Sequence, residues 1–169
     1  MTAAPRAGVG VPVRPAVAGG LVGWLVFVEF TSGVLQGYYT PLLSDIARHL
    51  DINDADINWF EAAQLMLSAI VVPVLAKLGD LHGHRRLLLV SAGVTAVASL
   101  VLAFATSFPV FVAAWALQGF YVAWLPLQVA LIYDRSRGGP DAAARTRRAT
   151  GLIVAALQAG AIVGALAGG

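Results

Sequence analysis

Hydrophobic residues occur along this chain in five long runs, and the charged residues cluster in the short segments between them. The runs cover residues 21–39, 59–76, 87–106, 110–133 and 150–169. A helix needs about 20 mainly apolar residues to cross a bilayer. A helix is required because the bilayer core contains no water to bond with backbone N–H and C=O groups. The pattern therefore predicts an all-α integral membrane protein of about five transmembrane helices, bundled over residues 17–169.

The ends and interruptions of these runs refine the predicted boundaries. Residues 1–16 are rich in Pro, Gly, Ala and Val without helical periodicity, and we expect a flexible cytoplasmic tail there. The second run contains Glu61 and Pro73, but Glu61 can reach the interface and membrane helices tolerate a proline kink. A cleaved signal peptide is disfavoured, because Glu29 interrupts the first run and no small-residue cleavage site follows it. Turns are expected at residues 107–109 and 138–140.

Composition and charge support this picture and give it an orientation. The chain is 59% hydrophobic and 12% charged, whereas soluble domains carry about 25% charged residues. Of the 11 Lys and Arg residues, all but Arg48 fall on one side of the predicted spans. Because cytoplasmic loops are enriched in Lys and Arg, we expect a cell-membrane protein with a cytoplasmic N-terminus. The basic excess is thus a topology signal, and no nucleic-acid partner is expected.

Polar residues inside the predicted spans are candidates for a solute cavity. Glu29 is the one charge well inside a span, and such a group marks a solute or proton path by default. The alternative is a protonated or hydrogen-bonded packing group, and ordinary interhelical hydrogen bonding is an alternative for the neutral polar residues too. The candidates on the first and fourth spans are Glu29, Gln36, Gln118, Tyr121 and Gln128. On the fifth span, Gly160, Gly164 and Gly168 form a small-residue stripe that favours close helix packing.

The most informative segment joins the second and third spans at residues 76–86, with the sequence AKLGDLHGHRR. Gly79 and Gly83 permit a tight reversal, and Asp80 near Arg85 and Arg86 can form a charged latch that breaks in another conformation. A metal site built on Asp80 and the neighbouring histidines is disfavoured by the adjacent arginines. No nucleophile motif, H-E-x-x-H zinc motif or Walker loop occurs, so direct ATP hydrolysis is unsupported, and neither a metal nor a cofactor is expected.

This segment resembles the loop signature of the major facilitator superfamily, G-x-L-x-D-R-x-G-R-R/K. In that family the aspartate contacts the C-terminal half and holds the cytoplasmic side closed, so the resemblance gives Asp80 a gating role, supported by Gly83 and Arg85, with Arg86 as a further charge. The matching positions are Leu78, Asp80, Gly83 and Arg85, and the departures are Ala76, Leu81 and His84.

Two further signatures of the family are altered in this chain. Proton-coupled members carry R-x-x-Q-G in the fourth helix, where this sequence keeps Gln118 and Gly119 but has Trp115 in place of the arginine. Antiporters carry G-P-x-x-G-G in the fifth helix, where this chain keeps Gly160 and Gly164 but lacks the proline. The resemblance covers residues 20–169, which correspond to the N-terminal part of a twelve-helix fold. The two altered signatures weaken the case for proton antiport.

The resemblance implies secondary active transport of a small solute by alternating access, with efflux as one form of this activity. The expected partners are the lipid bilayer, the solute and a C-terminal helical bundle beyond residue 169, so the chain is expected to be truncated. One alternative is a truncated or partner-dependent five-helix protein with no transport activity of its own. Another is a membrane enzyme acting on lipid, for which the sequence offers no nucleophile or metal set.

Overall fold

The computed structural model describes residues 15–136 and 141–169, and its regular structure there is helical. It also contains two 3-10 helices, Asp54–Ile57 and Gln118–Ala123. The described residues contain five continuous helical segments that are long and apolar enough to cross a membrane. The predicted all-α fold with five spans is therefore confirmed. The α-helices are α1 Pro15–His49, α2 Asn58–His82, α3 His84–Ala103, α4 Phe108–Leu117, α5 Trp124–Ser136 and α6 Ala142–Gly168.

Helix α1 is longer at both ends than the predicted first span. It begins at Pro15, so the predicted tail boundary at residue 16 falls inside the helix, while residues 1–14 lie outside the described part. It also continues through Pro41, since one proline removes one backbone donor without preventing the next turn. The helix ends where Asp51 adopts a φ of 53° and the Ile52 N–H donates to the Ala47 carbonyl at 3.1 Å. With 35 residues, α1 is about 50 Å long and exceeds the hydrocarbon core of about 30 Å.

The fourth span is interrupted by the 3-10 helix at Gln118–Ala123, which the sequence pattern did not predict. Pro126 supplies a physical cause, because it cannot donate to the Val122 carbonyl and its ring crowds that turn. Gly119 lies against α2 in this stretch, where an added Cβ would come within 2.7 Å of the Gln64 carbonyl oxygen. The fourth span is thus irregular where it approaches α2 most closely.

The turn between α2 and α3 depends on one glycine. Gly83 adopts a φ of 91°, and its N–H donates to the Gly79 carbonyl at 2.8 Å. Gly79 remains helical, and an added Cβ there would crowd the ring of His84. The predicted reversal therefore occurs at Gly83 alone. The predicted break at 138–140 lies outside the described residues.

Three clusters of buried apolar side chains hold the helices together. One joins α1, α2, α3 and α4 around Phe60 and Trp115, with Tyr39 and Leu43 of α1 packed against it. Another joins α2, α3 and α5 around Leu75 and Leu127. The third joins the start of α1 to α5 and α6 through Leu25, Ile132, Ala149 and Ile153. The start of α1 and the start of α6 therefore lie at the same end of the bundle.

Helices α1 and α6 approach each other along a double stripe of glycines. A Cβ added to Gly160 or Gly164 on α6 would overlap a carbonyl oxygen of α1, and one added to Gly33 or Gly37 on α1 would overlap a carbonyl oxygen of α6. Gly168 lies beside Pro41 and Tyr38 at the end of the stripe. The carbonyl oxygens belong to Phe30, Val34, Leu157 and Ala161. The two backbones are in direct contact, which no larger residue at these positions would allow.

Candidate solute cavity

A cavity of about 440 Å³ opens between α1, α2, α3 and the fourth span. Its volume is within the range of small-molecule sites, which is roughly 300–1,000 Å³. Helix α6 contributes none of the described lining residues, because it packs behind α1. The lining consists of Phe27, Val28, Thr31, Ser32, Leu35, Gln36, Tyr39, Thr40, Leu43, Glu61, Gln64, Thr95, Ser99, Trp115, Gln118, Tyr121 and Trp124.

One wall is a single face of α1. The lining residues recur at three- and four-residue steps, which brings them to one side of a helix. Gln36 lies near the middle of this face, and its Nε2 donates to the Ser32 hydroxyl at 3.2 Å. The bond joins side chains one turn apart and orients the amide along the wall. Helix α1 therefore presents a fixed polar strip to the cavity.

The opposite wall carries two more amide side chains with defined partners. The Gln118 Nε2 donates to the Ser99 hydroxyl at 2.9 Å, and that hydroxyl donates to the Thr95 carbonyl at 2.9 Å. The Trp115 Nε1 donates to the Gln64 Oε1 at 3.0 Å. These bonds link α2, α3 and the fourth span, so the amides are positioned by the fold.

Aromatic rings form much of the remaining surface. Tyr39 meets Trp115 edge to face, with ring centroids 5.2 Å apart and an interplanar angle of 74°. Trp115 also stacks against Phe111 at 5.7 Å. A buried tryptophan thus occupies the position where proton-coupled family members carry arginine. This part of the wall is aromatic and uncharged.

The cavity has an uneven charge distribution. Among the described lining residues, Glu61 is the one charged side chain, and none is Lys, Arg or His. From the sequence pattern, Glu61 was expected to reach the membrane interface and Gln64 had no expected role. The spacing of Glu61, Gln64 and Ser68 along α2 was a signal that could have identified this polar face.

The structure divides the five predicted cavity residues into two groups. Gln36, Gln118 and Tyr121 line the cavity, but Glu29 and Gln128 do not. Instead, the Gln128 Nε2 donates to the Glu29 Oε1 at 2.7 Å, and both side chains are buried. Glu29 follows Val28 by one residue, a rotation of about 100°, and so leaves the cavity face for the contact with α5. In this structure these two residues form an interhelical hydrogen bond beside the cavity and do not line it.

One polar atom of the Glu29–Gln128 pair lacks a hydrogen-bond partner. Gln128 Oε1 is buried without a hydrogen-bond partner, which is rare in folded proteins and calls for an explanation. A carboxylate at Glu29 accepts from Gln128 Nε2, whereas a carboxylic acid would donate to Gln128 Oε1. The amide therefore has a suitable group for either protonation state of Glu29.

At the α2–α3 turn, Asp80 pairs with a histidine and not with the arginines of the expected latch. Asp80 Oδ1 lies 3.5 Å from His84 Nε2, and His84 Nδ1 lies 2.9 Å from Asp134 Oδ2 at the end of α5. Within the described residues, neither Arg85 nor Arg86 forms an ion pair with Asp80. The turn at Gly83 returns residue 84 over the last turn of α2, so the histidine is the side chain that reaches the aspartate.

Comparison with known proteins identifies one family. Residues 25–169 match the family model described as Major Facilitator Superfamily. No curated protein and no solved structure matches the chain. The matched region includes every lining residue of the cavity and the whole α2–α3 turn.

Proposed function

Because this chain belongs to the Major Facilitator Superfamily, it is by class a transmembrane solute transporter, and we propose that its cavity is the solute-binding site. One observation carries the proposal: four spans enclose a space whose surface combines positioned amides with aromatic rings. Apolar surface with a few oriented polar groups is typical of small-molecule sites. Gln36, Gln118 and Tyr121 would contact the solute there.

The proposed mechanism is secondary transport by alternating access, with the α1–α6 pair as a rigid element. The glycine contacts hold these two backbones directly against each other, whereas the 3-10 segment Gln118–Ala123 has weaker backbone hydrogen bonds. Motion at that segment would move Gln118 and Tyr121 relative to α1. A second helical bundle, as the family resemblance implies, would form the other side of the cavity.

Asp80 and its neighbours are proposed to act at the cytoplasmic end. His84 ties Asp80 to Asp134 and so links the α2–α3 turn to α5. Asp80 is two-thirds exposed in its side chain, at 68%, and remains accessible to a partner helix. Gating would then consist of Asp80 exchanging a contact within this bundle for one outside it, with Gly83 fixing the turn and Arg85 and Arg86 supplying positive charge at the membrane surface.

Orientation and ion coupling are part of the same proposal. The basic residues around the α2–α3 turn and the start of α6 support a cytoplasmic location for that end, in the cell membrane. Glu29 is a buried carboxyl with an amide partner that suits both protonation states. We therefore assign it to ion coupling beside the cavity rather than to solute contact.

Alternating access can be tested without knowing the solute, because the chain contains no cysteine. A Gln36→Cys variant of the full chain in membrane vesicles would be treated with a membrane-impermeant thiol reagent from each side separately. We expect modification from both sides, since the cavity would open to each in turn. A Val97→Cys variant on the exposed apolar surface of α3 is the control and should stay unmodified from either side.

Modification of Gln36→Cys from one side only would show a cavity that does not alternate. That result would favour a five-helix protein without transport activity of its own, at least in the absence of a partner chain. Absence of modification from both sides would show that the cavity is closed to water and would overturn the proposed binding site.

A further inference from the structure

We infer that the solute is an organic cation with an apolar or aromatic body, and that Glu61 binds its positive charge. The inference rests on the proposed function, because it assigns a chemical class to the solute of that cavity. It depends on two observations: the sign of the charge in the cavity lining, and the presence of aromatic rings in the same lining.

The charge in the lining is negative and unpaired. Glu61 is the one ionisable acid or base among the described lining residues other than the tyrosines, and it forms no ion pair within the described residues. Arg48 lies at the same end of the bundle but forms an ion pair with Asp45 on α1, so it already has an acidic partner. A carboxylate at the edge of a low-dielectric cavity attracts cations and repels anions.

Aromatic rings line the same cavity as Glu61. Gln64 follows Glu61 on the same face of α2 and accepts the hydrogen bond of Trp115, and Trp115 contacts Tyr39. Tyr121 also lines the cavity. Faces of Trp and Tyr attract organic cations within about 6 Å of the ring centre. A carboxylate beside such rings is a suitable site for a bulky ammonium or phosphonium group.

The amides of the lining are positioned by the protein but do not select the charge of the solute. Each of the three glutamines in the lining already has a protein partner: Gln36 bonds to Ser32, Gln64 to Trp115 and Gln118 to Ser99. An anion would find no Lys, Arg or His in the described lining.

Three probes of similar bulk and different charge test the inference by binding alone. Tetraphenylphosphonium, triphenylphosphine oxide and tetraphenylborate would be titrated against the full chain in zwitterionic lipid nanodiscs, with calorimetry as the readout. We expect the cation to bind at least about tenfold more tightly than the neutral probe. The anion should bind no better than it does to empty nanodiscs.

A Glu61→Gln variant should lose most of the preference for the cation and keep the affinity for the neutral probe. Asp56→Asn is the matched control, since it removes an acid at the same end that does not line the cavity. That control should leave the preference unchanged.

Equal affinity for the cation and the neutral probe, tighter binding of the anion, or no binding of any probe would overturn the inference. The charge series on the wild-type chain separates these outcomes even if Glu61→Gln fails to fold. Failure of the charge series leaves the two-sided thiol modification of Gln36→Cys unaffected, so a wrong solute class is distinguishable from a wrong function.

Discussion

The two sides of helix α1 differ in the way they use small and polar residues. One side carries Gly33 and Gly37 and rests directly on the backbone of α6. The other carries Ser32, Gln36 and Tyr39 and borders a cavity. On the first side, no Cβ fits between the two helix backbones. The second side borders the open space of the cavity. The comparison indicates that packing and solute binding are separated within one helix by a rotation of about 100–200°.

This separation has a consequence for mutations. On the packed side, an added atom meets a backbone that cannot move without displacing a helix, so the cost appears in folding. On the cavity side, removing an atom enlarges a space that is already open, so the substitution lowers solute affinity rather than folding stability. Glu29 lies between the two sides and bonds to Gln128 on α5.

The largest effect is expected from breaking the packed side. Gly164→Leu would drive a side chain into the carbonyl oxygen of Val34 and separate α1 from α6. We expect the free energy of unfolding, measured by steric trapping in bicelles, to fall by about 3 kcal/mol or more. Gly151→Leu is the matched control on the same helix, since nothing lies within 4 Å of an added Cβ there. Equal effects of the two variants would refute the account of the glycine stripe.

An intermediate effect is expected at the boundary between the two sides. Gln128→Leu would leave the buried Glu29 carboxyl without its donor, and we expect a loss of about 1–3 kcal/mol in the free energy of unfolding. Glu29→Gln keeps a side-chain acceptor for Gln128, and its stability should stay within about 1 kcal/mol of the wild type.

The same Glu29→Gln variant should nevertheless impair ion-coupled solute movement, because it cannot take up or release a proton. Flux of a solute that the wild-type protein transports, measured in vesicles with an imposed ion gradient, checks this. Wild-type flux in the Glu29→Gln variant would show that the Glu29–Gln128 hydrogen bond serves packing alone.

The smallest effect on stability is expected on the cavity side. Gln36→Ala removes an amide whose partner, Ser32, lies on the same helix, so the free energy of unfolding should change by less than about 1 kcal/mol. The affinity for tetraphenylphosphonium, measured by calorimetry, should fall several-fold instead. A loss of stability comparable to that of Gly164→Leu would show that the two sides of α1 do not differ.

Much of the fold followed from the sequence, because bilayer thickness and backbone hydrogen bonding leave few alternatives to five apolar helices. The ends of α1 did not follow, since its charged last turns are helical for local reasons, such as the ion pair of Arg48 with Asp45. The 3-10 segment in the fourth span was also missed. Its cause, Pro126, is visible in the sequence, but a proline in a membrane helix produces several different distortions.

The cavity was predicted in part, for reasons that lie in helix geometry. Gln36, Gln118 and Tyr121 are polar positions on spans that border the cavity, and periodicity was sufficient to find them. Glu29 was assigned to the cavity because it shares a broad side of α1 with Gln36, and only the position of α5 shows that it points elsewhere. His84 was treated as a departure from the family signature, whereas its contacts with Asp80 and Asp134 depend on the turn at Gly83.

The most direct test of the central claim is a cysteine scan along one stretch of α1 in the full chain, reconstituted in lipid vesicles. Single cysteines would replace Leu35, Gln36 and Tyr39 on the cavity side, and Val26 and Val34 on the side that packs against α6. The readout is the rate of reaction with a small water-soluble thiol reagent. The account predicts fast reaction at the first set and slow reaction at the second. Similar rates in both sets, or faster reaction beside α6, would contradict it.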